Sequence, residues 1–223
     1  MVSQQELGRL RSWTSHLTAE EKMRKISTID LLDRYFYWTF DFTRFIDTYT
    51  AGSSSLTFLV GLQGSGKTNA LWMLCKKLNE SSRAAYIRWG EIYPKPWDEE
   101  KTEHLLIDLP DYMAGNLRAM SRDLDRVADL WYDSRLTQER FVVGVQKEMF
   151  HGHYLFGKGE VYELKPLPAS DLVIYFFKVF DKCEPFTLSA LWLVAELSRG
   201  IFRRFLKYIR LCVEDMVVGR QEV

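Results

Sequence analysis

The stretch Leu56-Thr57-Phe58-Leu59-Val60-Gly61-Leu62-Gln63-Gly64-Ser65-Gly66-Lys67-Thr68 decides how the rest of the chain is read. Its first half is a near-continuous apolar run, the pattern of a strand buried on both faces of a parallel sheet. Its second half, Gly61-x-x-x-x-Gly66-Lys67-Thr68, is a complete phosphate-binding loop. The glycines let backbone amides turn inward, and the helix opening near Gly66 adds the partial positive charge of its N-terminus. In such a loop the Lys67 ammonium reaches β- and γ-phosphates, and the Thr68 hydroxyl binds Mg2+. From Asn69 onward, Ala70, Leu71, Met73, Leu74 and Leu78 mark one helical face. Both flanks the motif requires are therefore present, which separates it from a merely glycine-rich turn. The expected nucleotide contacts are Gly61, Gln63, Gly64, Ser65, Gly66, Lys67, Thr68 and Asn69.

Further strands follow. Ala84 to Trp89 reads as the second. Leu105-Leu106-Ile107-Asp108 reads as the third, and it ends in a carboxylate that points into the crevice where α/β sheets bind ligands. Asp108 is thus the second expected magnesium holder beside Thr68. Leu117, Met120, Leu124, Val127, Leu130 and Trp131 repeat at helical period. Phe141 to Val145 is the fourth strand and Val161 to Leu164 the fifth. Strands separated by helices imply a three-layer α/β architecture, a parallel sheet with helices on both faces. In the expected order the Phe141–Val145 strand inserts between the phosphate-loop strand and the Asp108 strand. After Pro166 and Pro168 the pattern is all helical: about 170–180, then Thr187 to Arg199 with Gly200 as the stop, then about 201–217. Residues 3–50 also read as helical, with a capping box at Thr18–Glu21 and an aromatic-rich helix over about 28–47. The expected division is a helical segment over 1–50 packing on the core, a phosphate-loop core over 51–165 and a small helical subdomain over 166–223.

The 223 residues carry 30 Lys+Arg against 30 Asp+Glu, so the chain is no polybasic binder working by bulk charge. Three scattered cysteines, Cys75, Cys183 and Cys212, have no metal-ligand spacing. The N-terminus lacks the apolar core of a signal peptide, and no apolar run approaches the roughly 18 residues of a membrane span. The expected location is therefore cytoplasmic, with no membrane contact. His151 and His153, two apart with no partner carboxylate nearby in sequence, read as an ordinary loop rather than a metal site.

The strand ordering, the phosphate loop and the trailing helices resemble the additional-strand P-loop ATPases, and within them the AAA+ superfamily. Glu163-Leu164-Lys165-Pro166-Leu167 and Ser198-Arg199-Gly200-Ile201-Phe202-Arg203-Arg204 are similar to segments of archaeal initiator-type ATPases (origin-recognition/Cdc-like) and of the AAA+ partners of transposition systems. The resemblance spans roughly residues 30–217. It implies ATP and Mg2+ as cofactors. It also implies a homo-oligomer or a protein partner. It places Gln146 at the sensor that orients the attacking water and Arg203 at the lid arginine that reports the γ-phosphate, with Arg204 as the alternative. An arginine finger, acting in a neighbouring subunit, is sought before the fourth strand, at Arg135 or Arg140.

One departure stands out. The superfamily usually puts Glu directly after the magnesium-holding Asp; here that position is Leu109. Asp111 from the following loop, or Glu91 beyond the second strand, are the substitutes for the base. The resemblance thus implies an ATP-binding and hydrolysing AAA+ ATPase, a nucleotide-driven switch in DNA replication or mobile-element complexes. The Leu109 departure favours an alternative, a slow or non-hydrolysing adaptor acting by protein contacts; a P-loop phosphotransferase ranks third. The chain stops soon after the last helix, with no winged-helix reader, so only weak, salt-sensitive DNA contact is expected, through the edge formed by Arg203, Arg204, Lys207 and Arg210.

Overall fold

The computed structural model describes residues 40–89, 102–110, 112, 116–134, 139–150, 152–179 and 186–218. They fall into two compact units, one within 38–165 and one within 166–223.

The first unit is built on β1 (Leu56–Gly61), β2 (Ala84–Arg88), β3 (His104–Asp108), β4 (Arg140–Gln146) and β5 (Glu160–Leu164), with α1 (Phe40–Ala51), α2 (Lys67–Leu78) and α3 (Leu117–Ser134). The strands lie in the order β2-β3-β4-β1-β5, all parallel. β4 inserts between β1 and β3 as the sequence led us to expect, so the phosphate-loop strand and the Asp108 strand flank it.

Alternation divides the sheet's side chains between two faces. Leu56, Phe58, Val60, Leu105, Ile107, Phe141, Val143 and Val145 form one core with Met120, Leu124, Val127 and Trp131 of α3. On the other face α2 comes so close to β4 that a Cβ at Gly144 would stand 2.8 Å from Leu71 Cδ1. α1 shares this second face: Phe45 packs on Tyr162 of β5 at 4.9 Å between ring centroids, and Tyr162 pairs in register with Leu59.

α1 runs to Ala51, beyond the expected end near 47. Tyr49 is buried there, its hydroxyl paired with His104 Nδ1 at 2.9 Å, and Thr50 Oγ1 donates to Ile46 O at 2.9 Å. The long-range Tyr49–His104 contact carries the helix through a stretch of weak local propensity. Between β4 and β5 lie two short 3-10 segments, Lys147–Met149 and Tyr154–Lys158, which no periodicity announces because neither reaches two full turns. They bring Phe150 and Phe156 onto Phe58. The Thr18–Glu21 capping box and the aromatic positions before residue 40 lie outside the described residues.

The second unit holds α4 (Ala169–Val179), α5 (Leu188–Leu197) and α6 (Phe202–Val218) around Tyr175, Phe176, Leu191, Phe205, Leu206 and Ile209. Thr187 caps α5, its hydroxyl accepting from Ala190 N at 3.1 Å. The α5–α6 turn needs two successive left-handed residues, Arg199 (φ 51°) and Gly200 (φ 71°). Gly200 is doubly constrained, since a Cβ there would stand 2.5 Å from Leu167 O.

Candidate functional site

Parallel strands deliver their C-terminal ends to one edge of the sheet, and the phosphate loop opens there. β1 ends at Gly61; Gly64 (φ 78°) and Gly66 (φ 100°) turn the backbone left-handed, and α2 begins at Lys67. The turn is closed by Ser65 N donating to Leu62 O at 3.0 Å. A Cβ on Gly61 would lie 2.5 Å from Ser65 Oγ and 3.3 Å from Lys67 Cγ, so a side chain there would displace the Ser65 hydroxyl and press on Lys67. Lys67 is 6% exposed despite its charge. Its Nζ donates to Gly61 O and Leu62 O, both at 3.1 Å, which holds the ammonium against the loop. Gln63 is exposed at the loop's tip, while Gly64, Ser65, Thr68 and Asn69 are half-buried.

Asp108 closes β3 on the same edge. Its carboxylate accepts from the Thr68 hydroxyl, and Lys67 lies close enough to stabilise its charge. Burial pushes the Asp108 carboxyl above the usual range; hydrogen bonds from Tyr86 and Thr68 and the charges of Lys67 and Arg88 oppose that rise. Gln146 ends β4, in register with Gly61. The sheet therefore brings Lys67, Thr68, Asp108 and Gln146 together.

Two polar atoms of this edge, Ser65 Oγ and Gln146 Oε1, are buried with no hydrogen-bond partner. Buried polar groups are normally paired, so orphans at a strand-end cleft fit a polar ligand. The donor set fits a magnesium nucleotide as well. A glycine turn opening a helix N-terminus and an ammonium suit phosphate, and hydroxyl plus carboxylate oxygens suit a hard cation.

Several expected residues stand elsewhere. Leu109 is 5% exposed and belongs to the α3-facing core, so the position after Asp108 holds nothing that could activate water. Asp111, Glu91 and Arg135 lie outside the described residues. Arg140 does not fit an arginine finger. It starts β4 at the opposite edge, where Nη2 donates to Tyr49 O at 2.6 Å and Nε to Ser54 O at 3.2 Å, with the guanidinium 4.2 Å from the Tyr49 ring centre. Arg203 and Arg204 occupy the first turn of α6 in the second unit and are exposed, as are Lys207 and Arg210; Arg210 pairs with Glu214 at 2.8 Å. His153 accepts from Leu155 N and meets Asp125 at 3.1 Å, a loop-bracing role. Among the described residues no cluster of metal-ligating side chains occurs and no helix is long and apolar enough to cross a membrane.

The sequence reading missed Tyr86 and Gly144, which adjoin Asp108, and Trp72, which stacks on Tyr86. Tyr86 Oη donates to Asp108 Oδ2 at 2.8 Å, and a Gly144 Cβ would lie 3.4 Å from Oδ1. The pairing of β2 with β3 makes Tyr86 a diagonal neighbour of Asp108 on one face, and that register is absent from the sequence.

This arrangement is the fold of AAA+ P-loop domains. No family model matches the chain, and no curated protein matches it in sequence. Solved structures match in fold. Domain III of the replication initiation protein DnaA from Thermotoga maritima superposes with a TM-score of 0.59 at 16% identity, covering 84% of this chain and 89% of that one. A structure of Drosophila ORC bound to DNA gives 0.61 at 14% identity, covering 99% of this chain and 64% of that one. AMPPCP-bound DnaA from Aquifex aeolicus gives 0.55 at 13% identity, over 79% and 62%.

Proposed function

We propose that the chain binds ATP with Mg2+ and hydrolyses it as an AAA+ ATPase, using the nucleotide to switch conformation in DNA replication or another DNA-handling complex. The convergence of Lys67, Thr68 and Asp108 around a turn of inward amides carries this reading. Lys67 holds the β- and γ-phosphates, Thr68 and Asp108 hold the ion, and Gln146 orients water. The bound ion supplies positive charge against the phosphate oxygens. Arg203 of the second unit is the residue through which this reading passes the nucleotide state to the lid. The structures of DnaA and ORC support the replication setting through fold alone. The Ser198–Arg204 segment supports the initiator-type subfamily over the transposition-partner one only by resemblance. The nucleotide analogue in the Aquifex structure supports ATP as the ligand class.

Isothermal titration calorimetry tests the core of this reading. Lys67→Ala should lose ATP affinity by about 100-fold, the scale of charge-assisted hydrogen bonds to a phosphate. Retained affinity overturns it.

A second reading rests on the buried Leu109. With no carboxylate after Asp108, the chain acts as a slow or non-hydrolysing adaptor that works by protein contacts. Turnover above about 1 s⁻¹ with DNA or a partner present excludes that version.

A further inference from the structure

We infer that Tyr86, clamped against Trp72, is a positioning residue that holds the Asp108 carboxylate in the orientation needed to receive a divalent cation beside Thr68. The inference rests on the nucleotide-site reading above and adds two residues to it.

The geometry forms a closed ring. Thr68 and Trp72 stand four residues apart on α2 and so share one helical face. Thr68 bonds Asp108. Asp108 Oδ2 accepts from Tyr86 Oη at 2.8 Å. The Tyr86 ring stacks on Trp72 at 4.4 Å between centroids and 28° between planes, which returns the ring to α2. Arg88, in register with Asp108, also hydrogen-bonds Tyr86. On the other side Gly144 keeps space for Oδ1.

A carboxylate on a strand end is free to rotate about its last torsion unless both oxygens are constrained. Here Oδ2 is tied by a phenol that is itself fixed by stacking, and α2 carries both the stacking partner and the hydroxyl that shares the cation. A small movement of α2 therefore moves Thr68 and the Asp108 support together. Outer partners of ligating carboxylates tune metal affinity in just this way.

The test compares affinity for a fluorescent ATP analogue in Mg2+ with that in EDTA, for the full chain. Tyr86→Phe retains the stack and deletes only the hydroxyl. It should reduce the Mg2+-dependent gain in affinity about tenfold, and leave the EDTA affinity within about a factor of two. A merely structural role would move both affinities together, or the melting temperature, and not their ratio. Combining Tyr86→Phe with Asp108→Asn should add nothing to Asp108→Asn alone, since both act through one carboxylate. Should Tyr86→Phe fail to fold, Trp72→Leu decides, with a smaller loss of the Mg2+ gain expected. An unchanged Mg2+ gain in the folded variant overturns the inference while the nucleotide reading stands. No Mg2+ gain in the unaltered protein, or full affinity in Lys67→Ala, overturns both.

Discussion

The two edges of the sheet carry buried polar side chains in different states. At the edge where the strands begin, those groups mainly satisfy one another: Tyr49 with His104, Arg140 with the Tyr49 and Ser54 carbonyls, Trp131 Nε1 with Ser55 Oγ at 3.3 Å. Thr57 Oγ1 and one carboxylate oxygen of Glu139, Oε1, are exceptions. At the edge where the strands end, Lys67 leans on its own loop's carbonyls, and Ser65 Oγ and Gln146 Oε1 have no partner. The first edge is mainly a structural joint; the second carries its unspent hydrogen-bonding capacity on the phosphate loop and beside it, where recognition requires it. Damage to the first should appear as lost stability, and damage to the second as lost ligand chemistry.

Arg140→Met gives the sharpest separation. It strands two backbone carbonyls and removes a cation from the Tyr49 ring, so unfolding free energy should fall by about 2–3 kcal/mol with ATP affinity unchanged. Chemical denaturation and calorimetry on the same sample measure both; a selective loss of ATP affinity would break the comparison. Gly144→Val sits on the opposite edge but strikes packing first. Its Cβ would press on Leu71 and approach Asp108, so about 1–3 kcal/mol of stability should go, together with some Mg2+ dependence. A denaturation midpoint equal to the parent's would show that α2 can retreat.

Gln146→Leu should leave stability within about 0.5 kcal/mol, because its Oε1 has no hydrogen bond to lose, yet cut ATP turnover at least about tenfold. A stability loss without a kinetic one would make Gln146 structural and move it to the other side of the comparison.

The smallest effect concerns His104. Burial, and then the Arg140 charge, hold its pKa below the usual histidine value. A depressed folded-state value means the folded form resists protonation. The contribution to stability is then whole above the unfolded pKa of about 6.5, and is lost as pH falls from there toward the folded value. His104→Leu should therefore flatten the decline in urea midpoint between about pH 7 and pH 5.5, measured against the parent. An equal decline in both proteins would assign the acid sensitivity to other groups.

Much of the first unit could be read directly. Apolar runs of strand length, a glycine turn of fixed spacing and a 3.6-residue stripe are all local patterns, and burial enforces them locally. The insertion of β4 between β1 and β3 was also anticipated, although no local pattern carries it. Arg140 shows where such reading stops. An arginine before a strand looks available in sequence, and only the packing of α1 across the sheet's starting edge commits its guanidinium. The 3-10 turns between β4 and β5 escaped notice for the complementary reason, being too short to repeat.

Chain order alone determined that Gly61–Thr68 would form a phosphate-shaped turn, because its glycines and its lysine act within one loop. It also placed Asp108 at a strand end. That Tyr86 would bond this carboxylate and stack on Trp72, and that Gln146 Oε1 would lie without a partner beside Gly61, was decided only by tertiary structure. Strand register and helix-to-sheet distance join residues far apart in the chain, and neither quantity is written in any local run of side chains.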